Sequence, residues 1–159
     1  MSLMAVVRVF SQAPFPPSSE VELVLRARVH FRAELSFVVR HVLSGGARFE
    51  GTFVHEGISL AFGIDVRRTT EEDFREADLA EMRGKAGGMA TLARRCGSVW
   101  VIDAGETSLE WVFLALLASV LLGPILPADG STLCGVRGAR LRAASFPAFS
   151  GERGVFPTR

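Results

Sequence analysis

An α+β fold, a mostly antiparallel sheet packed against two main helices at about 70–95 and about 108–122, is predicted by three stretches of the sequence. The first is Val99 to Ile102, four apolar residues in a row, which suits a strand covered on both faces. A loop and the capping-box pair Thr107 and Glu110 follow it, so a helix begins there. The second is the pair of runs 47–54 and 58–66 around His55-Glu56-Gly57, which read as a hairpin with glycine at the strained turn position. The third starts at Thr69 and Glu72, another capping-box spacing. Phe74, Leu79, Met82, Ala86, Met89 and Leu92 then follow at helical intervals, one face of an amphipathic helix.

The helix from Trp111 to Leu122 is apolar all round, with Ser119 its one polar residue, and Gly123-Pro124 should stop it. Twelve residues give roughly 18 Å, against about 30 Å of hydrocarbon. Glu110 and Asp129 flank the segment without a nearby Lys or Arg. It is therefore expected in a core rather than across a membrane.

The remaining elements follow in order. Ala5 to Phe10 reads as a first strand, and the proline-rich and serine-rich stretch from Ser11 to Ser19 as a loop. From Val21 to Val39 every second residue is apolar, which predicts one long, bent strand over residues 20–43. The rival is a helix capped by Ser18 or Ser19 and stopped at Gly45-Gly46. Gly84, Gly87 and Gly88 predict a break in the amphipathic helix near Lys85, or close packing there, and Gly97 ends it. A last strand is expected near Leu141 to Ser145. The final 15 residues read as a tail whose Phe146, Phe149 and Phe156 are available for docking.

Composition bounds the function. Eighteen basic and 17 acidic residues leave a net charge of +1, too little to draw the chain to nucleic acid or acidic membranes. Residues 134–159 carry five arginines against Glu152 alone, so this region holds +4 and the body −3. The division predicted is one α+β domain over 1–133 and an Arg/Gly/Pro-rich extension over 134–159. A single lysine, Lys85, and no tyrosine point to a GC-rich, bacterial-like coding sequence. Cys96 and Cys134 lack metal or redox spacing and read as reduced structural thiols. The N-terminal apolar run carries Arg8 and makes a poor signal peptide, so a cytoplasmic location is expected.

Candidate chemistry is thin. Asp103, at the end of the apolar strand with Glu106 and Glu110 nearby, is the first candidate for a ligand or cation, because strand ends commonly present binding groups. Arg26, Arg28, His30 and Arg32 fall on alternate positions. On a strand they would form a stripe at about 6.6–6.8 Å spacing, close to a sugar-phosphate repeat. Glu22 and Glu34 bracket that stripe, and it lacks the aromatics that stack on bases. Gly84-Lys-Ala-Gly-Gly has neither the spacing nor the Ser or Thr of a phosphate loop. No sequence feature brings either thiol together with His30, His41 or His55.

The leading expectation is thus a small soluble protein that binds another protein, as an adaptor or a neutralising partner. No catalytic motif, metal site, cofactor, nucleic-acid partner or membrane span is expected, and assembly into a homo-oligomer is left open. The alternatives are a ligand-binding protein or enzyme with its site near Asp103, and an anion or nucleic-acid binder using the arginine stripe.

Overall fold

The computed structural model describes residues 6–15, 19–43, 45–85, 87–103 and 107–145. Its strands are β1 (Val6–Ser11), β2 (Ala33–His41), β3 (Ala47–His55), β4 (Ile58–Arg68), β5 (Ser98–Asp103) and β6 (Ile125–Leu126). The helices are α1 (Glu20–His30), α2 (Glu71–Gly84), α3 (Met89–Arg94), α4 (Ser108–Leu121) and α5 (Val136–Ser145). The strands form one six-stranded sheet in the order β2-β3-β4-β5-β1-β6, antiparallel at every pairing, so the fold is α+β.

Two cores sit on opposite faces of this sheet. Trp100 and Ile102 of β5 join α1, α4 and α5 in the larger core, while Val99 and Val101 join α2 and α3 in the smaller one. Successive side chains of a strand point to opposite faces, so a strand roofed on both sides must be apolar at every position. That is why Val99 to Ile102 is a continuous run. Strands β2 to β4 are roofed by the larger core alone and accordingly alternate. Their outer face carries a cross-strand ion ladder: Arg40 to Glu50 at 3.3 Å, Arg48 to Glu50 at 3.1 Å and Arg48 to Asp65 at 3.0 Å.

Residues 20–43 are a correction to the sequence reading: they form α1 and then β2, not one long strand. A helix turns about 100° per residue, so Leu23 and Ala27 face the core while Val21, Leu25 and Val29 lie on the other side. Two opposed apolar faces on one helix reproduce an alternation of two. Glu20 and Glu22 in the first turn and Arg28 and His30 in the last complement the helix dipole. Arg32, at φ 52°, turns the chain into β2.

Other boundaries differ more narrowly. The capping box of α2 is formed by Thr70 and Asp73, one residue beyond the expected Thr69 and Glu72, and Lys85, in a left-handed conformation, ends the helix at the expected break. The two turn residues of the β3–β4 hairpin, Glu56 and Gly57, both have positive φ (53° and 81°), the conformation that best matches strand twist. Thr107 and Glu110 cap α4 as expected. Leu122, not Gly123, takes the left-handed position after it; Gly123 instead lies against the Phe10 carbonyl. The strand expected at 141–145 is part of α5, which buries Ala139 and Ala143 in the larger core. No helix among the described residues is long and apolar enough to cross a membrane.

Candidate interaction surface

Helix α1 and strand β2 stand at one end of the molecule. The residues i, i+4 and i+8 along the outer side of α1, Val21, Leu25 and Val29, are 71%, 53% and 65% exposed. On the inner side Leu23 and Ala27 are buried. Charged residues flank the outer stripe in pairs: Arg26 reaches Glu22 at 3.4 Å and Arg28 reaches Glu34 of β2 at 3.7 Å. Apolar residues three and four apart on a helix adjoin one another, so this is a continuous strip, unlike a lone exposed aliphatic.

The arginine stripe is not formed. On a helix, Arg26 and Arg28 project about 160° apart, and His30 returns toward the Arg26 side. Arg32 occupies the turn beyond the helix. These four residues therefore share no line at a phosphate repeat, because the alternation that placed them on one strand face belongs to a helix.

Asp103 stands, exposed, at the end of β5 opposite Val6 of β1. It borders a narrow crevice with Leu60, Phe62, Glu110, Phe113 and Leu114. Beside that crevice, between the β3–β4 hairpin and the start of α4, opens a cleft of about 480 Å³. His55, Ile58, Leu60, Thr107, Leu109 and Val112 are among its lining residues. The wall is largely apolar, and two amides at the start of α4, those of Thr107 and Glu110, are engaged in the reciprocal cap. Such a cleft suits an apolar group better than an anion. Glu106 lies outside the described residues.

One group of charges was missed by the sequence reading. Asp73, whose side chain is 1% exposed, receives two hydrogen bonds from Arg67 at 2.8 and 2.9 Å, one from Arg8 at 3.0 Å and one from the Thr70 amide at 2.8 Å. Arg8 also pairs with Glu76. Burial alone pushes the Asp73 carboxyl up, but the Arg67 hydrogen bonds, the Thr70 amide and the Arg67 charge outweigh it and hold the group at about 2. The sequence hinted only at Arg8, a cation between Val7 and Val9, and gave no pointer to its partner. The arrangement ties β1, β4 and α2 together.

The thiols and the basic C-terminal region also have structural work. Cys96 and Cys134 are unpaired and buried in different cores, and burial pushes each thiol up to about 11. An uncharged thiol is a poor nucleophile near neutral pH. In α5, Arg140 stacks over the Phe31 ring at 4.4 Å and Arg142 over Trp111 at 4.8 Å. Two of the five arginines of the basic region therefore clamp α5 to Phe31, just after α1, and to α4. Among the described residues no cluster of three or more His, Cys, Asp or Glu could hold a metal ion. No known family model, curated protein or solved structure matches this chain.

Proposed function

We propose that this protein acts by binding another protein, as an adaptor or neutralising partner, and that the outer face of α1 is its contact. The observation that carries this reading is the strip Val21, Leu25 and Val29, apolar and open on the side of α1 opposite its buried face. A helix needs one apolar face to fold against its own domain. A second, rimmed by Glu22, Arg26 and Arg28, has the form of a helix that lays i, i+4 and i+8 anchors into a groove of a partner. The partner implied presents an apolar groove with charges of both signs at its rim. Action inside the cell belongs to the same proposal, supported by the two unpaired, buried thiols.

The test is reconstitution. A protein captured from native extract by the wild-type chain is purified separately and its affinity measured for wild type and for Leu25→Glu, with circular dichroism to show that α1 persists. Binding at least tenfold weaker in the variant supports the reading, and unchanged binding overturns it. A second reading, a small-ligand site, draws on the apolar cleft next to Asp103 and calls for ligands with an apolar body rather than a phosphate.

A further inference from the structure

Strand β2 is the end of the sheet, and its outer edge is unpaired among the described residues. The opposite end is protected: β6 has two residues, and Ile125 there exchanges hydrogen bonds with Cys134. Among the described residues β2 is neither shortened nor paired on its outer edge. All nine of its residues pair with β3 in unbroken register, without a bulge or a proline. A long, regular edge of that kind is a template for another strand unless something covers it.

The hydrogen-bond phase shows which groups are open. The Val42 amide donates to Gly46 at 3.1 Å, and those two residues continue the β2–β3 register. Bonded and non-bonded pairs alternate along an antiparallel ladder, so Arg40, Val38, Ser36 and Glu34 direct their backbone groups to β3. Ala33, Leu35, Phe37, Val39 and His41 direct theirs outward. The side chains of these five are on the larger-core face, while Glu34, Ser36, Val38 and Arg40 are on the outer face.

We infer that the occupant of this edge is a second copy of the chain, pairing β2 with β2 antiparallel about a two-fold axis at Phe37. The register that uses all nine residues sets Ala33 opposite His41, Leu35 opposite Val39 and Phe37 opposite itself. Outward-facing backbone groups then meet only their own class, as the ladder requires. The same register sets Glu34 opposite Arg40 of the other copy twice over, on the exposed face, and opposite charges directly across a ladder are favourable. Val38, 64% exposed in the single chain, falls opposite Ser36 beside the axis. This charge complementarity selects a copy of β2 over an arbitrary strand. The pairing joins two six-stranded sheets into one through the backbone of β2, and its test reads self-association rather than binding of another protein, so the two proposals can fail separately.

The test is sedimentation of the full chain over a range of concentrations, with circular dichroism to confirm folding. Wild type is expected to dimerise. Glu34→Arg and Arg40→Glu singly, each of which sets like charges across both ends, are expected to raise the dissociation constant at least tenfold, and the double exchange to restore it. A second variant leaves the charges alone. Ser36→Cys with Val38→Cys places facing positions at a Cα separation of about 4.5 Å, within disulfide range, so oxidation should link two chains. A wild-type chain that stays monomeric up to its solubility limit overturns the inference. So does a dimer indifferent to both single reversals, or one in which the cysteine pair fails to link.

Discussion

Arg67 and Asp73 meet through two hydrogen bonds where β4 hands over to α2, and the carboxylate between them also caps the helix through the Thr70 amide. Because the folded-state value of Asp73 is lowered from 3.8 to about 2, the group contributes stability that is fully present above about pH 4. That stability disappears as pH falls through about 2. The shift corresponds to about 2 kcal/mol. Asp73→Ala should therefore destabilise the chain at pH 7 by about 3 kcal/mol, since it removes a cap and leaves Arg67 half-buried without its partner. Contact of Arg67 with water keeps the figure from being larger. Denaturant titrations at pH 7 and pH 3 check this: the gap between wild type and variant should narrow at the lower pH.

Gly123 tests the junction of α4 with β1. A methyl group there would lie 2.1 Å from the Phe10 carbonyl oxygen and 2.9 Å from the Cys96 sulfur. The backbone cannot recede, because the Phe10 amide donates to Pro124 at 3.0 Å and the Gln12 amide to Leu121 at 2.8 Å. Gly123→Ala should cost about 2 kcal/mol or more, through overpacking. Gly97→Ala has open space around it and ordinary backbone geometry, so its melting temperature should stay within about a degree of wild type.

The large features of the fold were legible because each had one physical cause. A strand roofed twice must be apolar throughout, and Val99 to Ile102 is. An apolar helix needs surrounding elements, and Trp111 to Leu121 is enclosed by the sheet, α1 and α5. The reading failed where two causes leave the same trace. Val21 to Val29 alternates because α1 has an inner and an outer apolar face, and the acids at its start and bases at its end were the distinguishing signal. At 141–145 the sequence shows no strong period. Arg140 and Arg142 hold α5 by stacking on rings, a contact that periodicity does not register. The Asp73 cluster was invisible for another reason: Arg8 and Asp73 are 65 positions apart, and only the fold brings them together.

Removal of residues 147–159 should leave the fold intact. The groups that dock α5, namely Ala139, Ala143, Arg140 and Arg142, all precede the cut, and the deleted stretch has no periodic apolar face. A melting temperature close to that of the full chain is expected. Truncation at residue 133 should behave differently, because Trp111 loses the guanidinium that covers it and the larger core loses one helix. A large fall in melting temperature, with a red shift of tryptophan emission, is the expected result.

The last prediction concerns nucleic acid. An arginine row that contacted phosphates would give a log-log salt slope of about −0.7 per contact on single strands and about −0.9 on duplex. Arg26 and Arg28 diverge around α1 and pair with Glu22 and Glu34, so phosphates would have to displace those carboxylates one at a time. A body at −3 repels the rest of the strand. Oligonucleotide titration at physiological salt should show no binding, and the result should not change when Arg26, Arg28 and Arg32 are all replaced by glutamine. Micromolar binding that those three replacements abolish, with circular dichroism unchanged, would restore the anion-binding reading and place its contacts on α1.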